Sequence, residues 1–139
     1  MAATVDGSIM EALFARVASL VLSPAMPVSW PNVAFTVPAT NKYLRVQFIP
    51  NVNNRVFIGS TDPHQRLGLL QVSVYGPYGA GEAAVRDIAG RVANHFPADL
   101  ILSADGVEVR ITSAPTVADL IIEDARVQVP VTISYECWV

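Results

Sequence analysis

The chain has 139 residues, of which 52% are hydrophobic and only 15% charged, with a mean hydropathy of +0.40. Its formal charge of −3 and pI near 5.2, with nine scattered Lys and Arg, exclude the basic stripe by which a protein grips nucleic acid. The length suits one domain over residues 1–139, and so apolar a composition with so few charges favours surfaces covered by partners.

Asp6 and Glu11 stand where a signal peptide carries positive charge, so no export signal is expected. The apolar piece at residues 12–22 is interrupted by Arg16 and falls short of the roughly 20 residues that span a bilayer, so no membrane association is expected. Ser8-Ile9-Met10-Glu11 reads as a capping box, and Ile9, Leu13, Val17, Leu20 and Val21 recur at helical spacing behind it. Ser23-Pro24 predicts the end of that helix, because proline disfavours helical geometry in the residue before it.

Four prolines between residues 24 and 41 predict an extended connection with at most short edge pieces. A strand follows at residues 42–49, with Leu44, Val46 and Phe48 alternating against Tyr43, Arg45 and Gln47, and Pro50-Asn51 closing it. Asn51, Asn53 and Asn54 predict a turn, residues 55–60 a shorter strand pairing back as a hairpin, and residues 61–66 a polar loop. The clearest strand is 67–75, where Leu70, Val72 and Val74 point one way and Gln71, Ser73 and Tyr75 the other. A second helix carries Ala83, Ala84, Ile88, Val92 and Phe96 on one face, and His95 stands at its C-terminal end, where positive charge meets the helix dipole favourably. A short segment at 100–102, the turn Ala104-Asp105-Gly106, a strand at 107–112 and a mixed stretch at 116–124 lead to a long final strand from Arg126 to about Trp138. Pro130 within it suggests an edge or a bulge, and Cys137 is expected to pack as a small hydrophobe. The reading is an α+β domain with a mostly antiparallel sheet flanked by two main helices.

The connector before the second helix reads VYGPYGAGEAA and resembles two nucleotide motifs. A phosphate-binding loop needs Lys and Ser or Thr after its second glycine, where this chain has Glu82 and Ala83, and a carboxylate there repels phosphate. A dinucleotide fold needs a buried parallel strand ahead of the glycines, whereas residues 67–75 alternate as antiparallel strands do. The stretch therefore reads as a structural turn, with Tyr78 at its tip as a candidate contact. His64 and His95 have no Cys or His at ligand spacing, so neither a metal nor a cofactor is expected. Asp119, Glu123 and Asp124 read as a solvated acidic face, and no nucleophile sits in a recognisable elbow, so no catalysis is expected.

Several phrases in order carry a family resemblance. They are Trp30-Pro31-Asn32-Val33 with Phe35, Tyr43-Leu44-Arg45-Val46 with Phe48 and Pro50-Asn51, and Gly68-x-Leu70-Gln71-Val72-x-Val74. Gly79-x-Gly81-Glu82-Ala83, His95-Phe96-Pro97 and Pro130-Val131-x-Ile133-x-Tyr135 complete the set. Together they resemble the tail-terminator or tail-completion proteins of long-tailed bacteriophages. That resemblance implies a structural virion protein in the neck region, assembled in the host cytoplasm as a hexameric ring on the head-proximal end of the tail tube. Such a ring ends tube growth, meets the tail tube protein and the head–tail connector proteins, and lets DNA pass without sticking. A head-completion ring of the same neck and a small-ligand-binding module are the alternatives. For contacts with a partner or a second subunit, the candidates are Tyr43, Arg45, Asn51, Asn53, Asn54, Arg55, His64, Arg66 and Tyr78. For an acidic lumen they are Asp62, Asp105, Asp119, Glu123 and Asp124.

Overall fold

The computed structural model describes residues 4–22 and 25–139. Two long strands with strict alternation organise it. β3 (Gln65–Pro77) and β8 (Arg126–Trp138) pair antiparallel along their whole length, from Gln65 opposite Trp138 to Pro77 opposite Arg126. β2 (Tyr43–Asn54) runs antiparallel on the other side of β3, and the short β1 (Val28–Ser29) pairs parallel with Leu44 and Arg45 of β2. Beyond β8 lie β5 (Val107–Ile111) and then β4 (Ile101–Ala104), giving the order β1-β2-β3-β8-β5-β4. β6 (Thr116–Val117) and β7 (Ile121–Glu123) also pair with β8, further along the same side.

One face of this sheet is apolar, and both helices cover it. Val46, Leu70, Val72, Val74, Val109, Val129, Val131 and Ile133 are all buried there. Ile9, Leu13 and Val17 of α1 (Val5–Ala18) and Val85, Ala89 and Val92 of α2 (Ala83–Asn94), with Phe96 beyond it, close over them. Each fully buried Val or Leu removes enough apolar surface from water to contribute about 1.5–3 kcal/mol.

The helix boundaries differ from the pattern reading. α1 opens on Thr4, whose hydroxyl accepts from the Gly7 amide at 3.2 Å, while Ser8 is buried inside the first turns. The capping box at Ser8 is thus displaced by an earlier cap that also places Asp6 in the first turn, favourably to the dipole. The helix ends at Ala18, Val21 is 89% exposed, and the predicted stop at Ser23-Pro24 lies outside the described residues. In α2 the buried stripe is Val85, Ala89, Val92 and then Phe96, whereas Ala83 and Ala84 are exposed at its start.

Residues 55–60 are not a strand. β2 instead runs on to Asn54 with a shift of register between Pro50 and Asn53. The loop after it is closed locally: the Arg55 guanidinium donates to the Phe57 and Ile58 carbonyls, and Asp62 accepts from the Gly59 amide at 3.1 Å. Pro130 is neither at an edge nor in a bulge but in the central β8. Its carbonyl accepts from Ala118 at 2.9 Å, so its missing N–H would point to that same side. There β6 has ended at Val117 and β7 has not yet begun at Ile121, so no ladder bond is lost.

The glycine-rich connector is a turn built by its backbone. Gly79 and Gly81 both have φ of +86°, and a Cβ on Gly76 would stand 2.6 Å from Val85 Cγ2, so bare backbone lets α2 close on β3. Glu82 occupies the N-cap without capping, and its carboxylate instead pairs with Arg86 at 2.7 Å. At the other end of α2, the His95 ring ties the two helices together. Nε2 lies 2.7 Å from the Arg16 carbonyl, which can only accept, and 2.9 Å from Ser19 Oγ, while the His95 carbonyl accepts from Arg16 Nε at 2.9 Å. Burial holds this imidazole below its ordinary value of 6.5; the hydrogen bond to the Arg16 carbonyl opposes that and the Arg16 charge adds to it.

Two outcomes follow. Gly76→Ala is expected to destabilise the fold by about 1–3 kcal/mol through overpacking and Gly81→Ala by about 1–2 kcal/mol through backbone strain, both read by urea unfolding. Because the folded His95 binds its proton less readily than the unfolded one, its contribution is complete above pH 6.5 and is lost as pH falls below it. The urea midpoint of the wild type should therefore drop on acidification more than that of His95→Gln.

Candidate functional site

The sheet face turned away from the helices is where the chain has chemistry to offer. Tyr43 and Tyr75, opposite one another on β2 and β3, stack at 4.4 Å with their planes 4° apart. The Arg126 guanidinium lies 5.2 Å from the Tyr75 ring and 5.9 Å from that of Tyr43. Glu123 accepts from Arg126 Nε at 2.9 Å and from Gln128 Nε2 at 2.5 Å. The hydrogen bond from Arg126 holds the Glu123 carboxyl below its usual range, and burial lifts the Tyr43 hydroxyl above 10 despite the nearby Arg126. Phe35, from the extended connection, packs 5.3 Å from Tyr43. This cluster closes the far face at the β7–β8 end and is complete within the chain.

The other end of the same face is apolar and open. Phe57 and Trp138 pack at 6.1 Å yet remain 48% and 43% exposed, and Ile58 beside them is 94% exposed. A groove of about 370 Å³ adjoins them, walled by Ile101, Glu108, Arg110, Glu136, Trp138 and Val139. Arg110 there bonds Asp99 at 2.7 Å and approaches Glu136 at 3.5 Å. Sequence reasoning placed Phe57 and Ile58 in a strand and missed this patch; the clue was two large apolar residues running directly into Gly59-Ser60-Thr61-Asp62.

The predicted contact residues separate accordingly. Tyr43 is buried in the stack, while Arg45 is exposed next to it. Asn51 and Asn53 are exposed at the register shift of β2, and Asn54 donates to Gln65 Oε1 at 3.3 Å. Arg55 is bonded into its own loop, and His64 is held by backbone bonds to Val139 at 2.9 and 3.2 Å. Arg66 reaches Asp6 at 3.6 Å, with its Nε buried and without a hydrogen-bond partner among the described residues. Tyr78, at the tip of the glycine turn, is 61% exposed, with its amide anchored to the Ala125 carbonyl at 3.1 Å.

The five acids are spread along β8 and do not form one cluster. Asp62 and Asp105 belong to loops at the C-terminal end of β8, Glu123 and Asp124 to the hairpin at its N-terminal end, and Asp119 to the gap between β6 and β7. Thirteen extended residues separate those ends by roughly 40 Å. Beside the glycine turn, a cavity of about 480 Å³ is walled mostly by apolar groups, among them Met26, Pro27, Pro38, Val85 and Ile88, with Thr40, Lys42, Asp87 and Arg91 as its polar members. Among the described residues no three His, Cys, Asp or Glu converge on a metal position, and no helix is long and apolar enough to cross a membrane. Cys137 is buried, with its thiol pushed up by that burial.

Removing the guanidinium from the tyrosine stack tests its weight. Arg126→Met should lower the unfolding free energy by about 1–2 kcal/mol, from the lost cation–π contact and the carboxylate left with Gln128 in place of its charged donor. Glu123→Gln should cost less than that in the same urea titration.

Comparison with known proteins places this architecture. No curated protein matches the chain. One solved chain superposes with a TM-score of 0.74 at 29% identity, over 93% of this chain and 92% of its own length. Another, from the virion of a native gene transfer agent particle, superposes with a TM-score of 0.65 over 99% of this chain and all of its own, and at 15% identity it shares the fold alone. The family of phage tail terminator proteins matches residues 8–135, nearly the whole length. The chain belongs to the phage tail terminator family.

Proposed function

We propose that the protein is a non-enzymatic structural component of a virion neck, a homo-hexameric ring that caps the head-proximal end of the tail tube. The observation that carries this reading is the family match over residues 8–135. In this reading the ring ends polymerisation of the tube protein and offers its opposite surface to the head–tail connector proteins. Two features of the fold support a ring. The helices cover one face of the sheet only, and large apolar side chains stay exposed at both ends of the other side, Ile58 and Trp138 at one and Ile121 at the other. A free monomer has no use for them, whereas a subunit with neighbours above, below and beside it covers them.

Passage of DNA is supported by charge. With a net −3 and no basic stripe, the ring lacks the phosphate-neutralising contacts that would retain the duplex. In this reading some of Asp62, Asp105, Asp119, Glu123 and Asp124 face the lumen.

The test is growth of tail tubes from purified tube protein with and without the chain, followed by electron microscopy. Tubes should stop elongating at substoichiometric chain and carry an annular density at one end. Unimpeded elongation, or attachment of the chain to heads and not to tubes, would refute the tube-end assignment.

A further inference from the structure

The sheet has two ends, and they differ in a complementary way. On one side, residues 25–60 contain Lys42, Arg45 and Arg55 and no acid; on the other, the β4–β5 hairpin and its approach carry Asp99, Asp105 and Glu108 and only Arg110. Charge is thus polarised across the sheet, with β3 and β8 between the poles.

Both edges of the sheet, β2 beyond the short β1 and β4, also keep unpaired backbone. β1 covers β2 only at Leu44 and Arg45. Leu44 donates outward to the Pro27 carbonyl, so Val46 and Phe48, of the same parity, direct their N–H and C=O outward as well; the Ser29–Arg45 bridge of β1 reaches as far as the Val46 N–H, and Phe48 beyond it has no strand beside it among the described residues. At the opposite end, the Leu100 carbonyl accepts from Ile111, so even-numbered residues of β4 face β5, and Ile101 and Ser103 direct their backbone outward. Exposed edges of this kind template pairing with another chain.

We infer that the basic β2 edge of one copy docks on the acidic β4–β5 edge of the next. This deepens the ring reading and rests on it: a joint between two different surfaces is heterologous, and repeated by rotation it closes into a ring. Following the ladder from β2 through β3, β8 and β5 to β4 reverses direction four times, so β2 and β4 run in the same sense. A sheet continued from copy to copy therefore makes a parallel junction. The charges select it: a β2 edge meeting a β2 edge sets Arg45 against cations, and a β4 edge meeting a β4 edge sets Glu108 against acids. The Trp138 groove lies on the β4 side beside Glu108, so the incoming subunit also covers Ile101 and Trp138.

Two charge-reversed variants test the joint. Lys42→Glu with Arg45→Glu makes both edges acidic; Ser103→Lys with Glu108→Lys makes the other edge basic and leaves Asp99 and Asp105, which hold positive φ, untouched. In native mass spectrometry over a concentration series, each variant alone should lose at least about tenfold in assembled fraction, because like charges now face each other. An equimolar mixture should recover rings containing equal numbers of the two. Ser103→Pro, which removes only an outward N–H from an exposed edge residue, should weaken assembly while leaving the circular dichroism of the monomer unchanged. Variants that assemble like the wild type, or a mixture that recovers nothing, overturn the joint and leave the ring reading standing. A wild type that remains monomeric throughout and at tube ends overturns both.

Discussion

Everything in this subunit hangs on the register between β3 and β8. A period-two ladder thirteen residues long admits no slip, because a shift by one would turn Val129, Val131 and Ile133 to the open face and bring Gln128, Thr132 and Ser134 under the helices. The pairing then dictates its surroundings. β2 reads its own register from β3, α2 closes where Gly76 leaves room for Val85, and three short strands share what remains of β8's other side. The contacts are long-range in sequence, so chain entropy is spent early in folding and recovered when the helices seal the apolar face.

The parts that were legible in the sequence are those in which one periodicity persists. Residues 67–75, the final strand and the second helix repeat their pattern over nine or more positions, and the α+β class follows from them. The misreadings occur where a short-range interaction competes with pattern. Ser8 had the capping-box sequence, yet Thr4 with Gly7 made an equivalent cap one turn earlier and buried Ser8. Residues 55–60 had strand composition, yet the Arg55 side chain satisfied two carbonyls of its own loop. Pro130 had the signature of an edge, yet its missing donor fell in a gap between two partners too short to be visible as strands.

The site was less legible than the fold for a related reason. Tyr43, Tyr75, Arg126 and Glu123 are brought together by strand pairing across more than eighty residues, and only Tyr43 and Glu123 had been singled out, each for a different purpose. The glycine-rich connector shows the converse: a short string with the look of a nucleotide motif is explained by backbone dihedral angles and by one methyl group that must not be there. Family membership accounts for what such a scaffold is for, and the polarity of its charges suggests how copies of it meet.

Pro130 also has a consequence during synthesis. A continuous Val- and Ile-rich segment ending in Tyr-Glu-Cys-Trp-Val is the kind of sequence that stacks with copies of itself before it finds its place. A ring residue without an amide hydrogen in the middle of that segment interrupts any uniform stack of identical strands. In the native sheet the interruption is harmless, because it faces the opening between β6 and β7. The same residue that looked like a flaw in the longest strand therefore acts as a gatekeeper against the wrong polymer, in a protein whose family is named for stopping the right one.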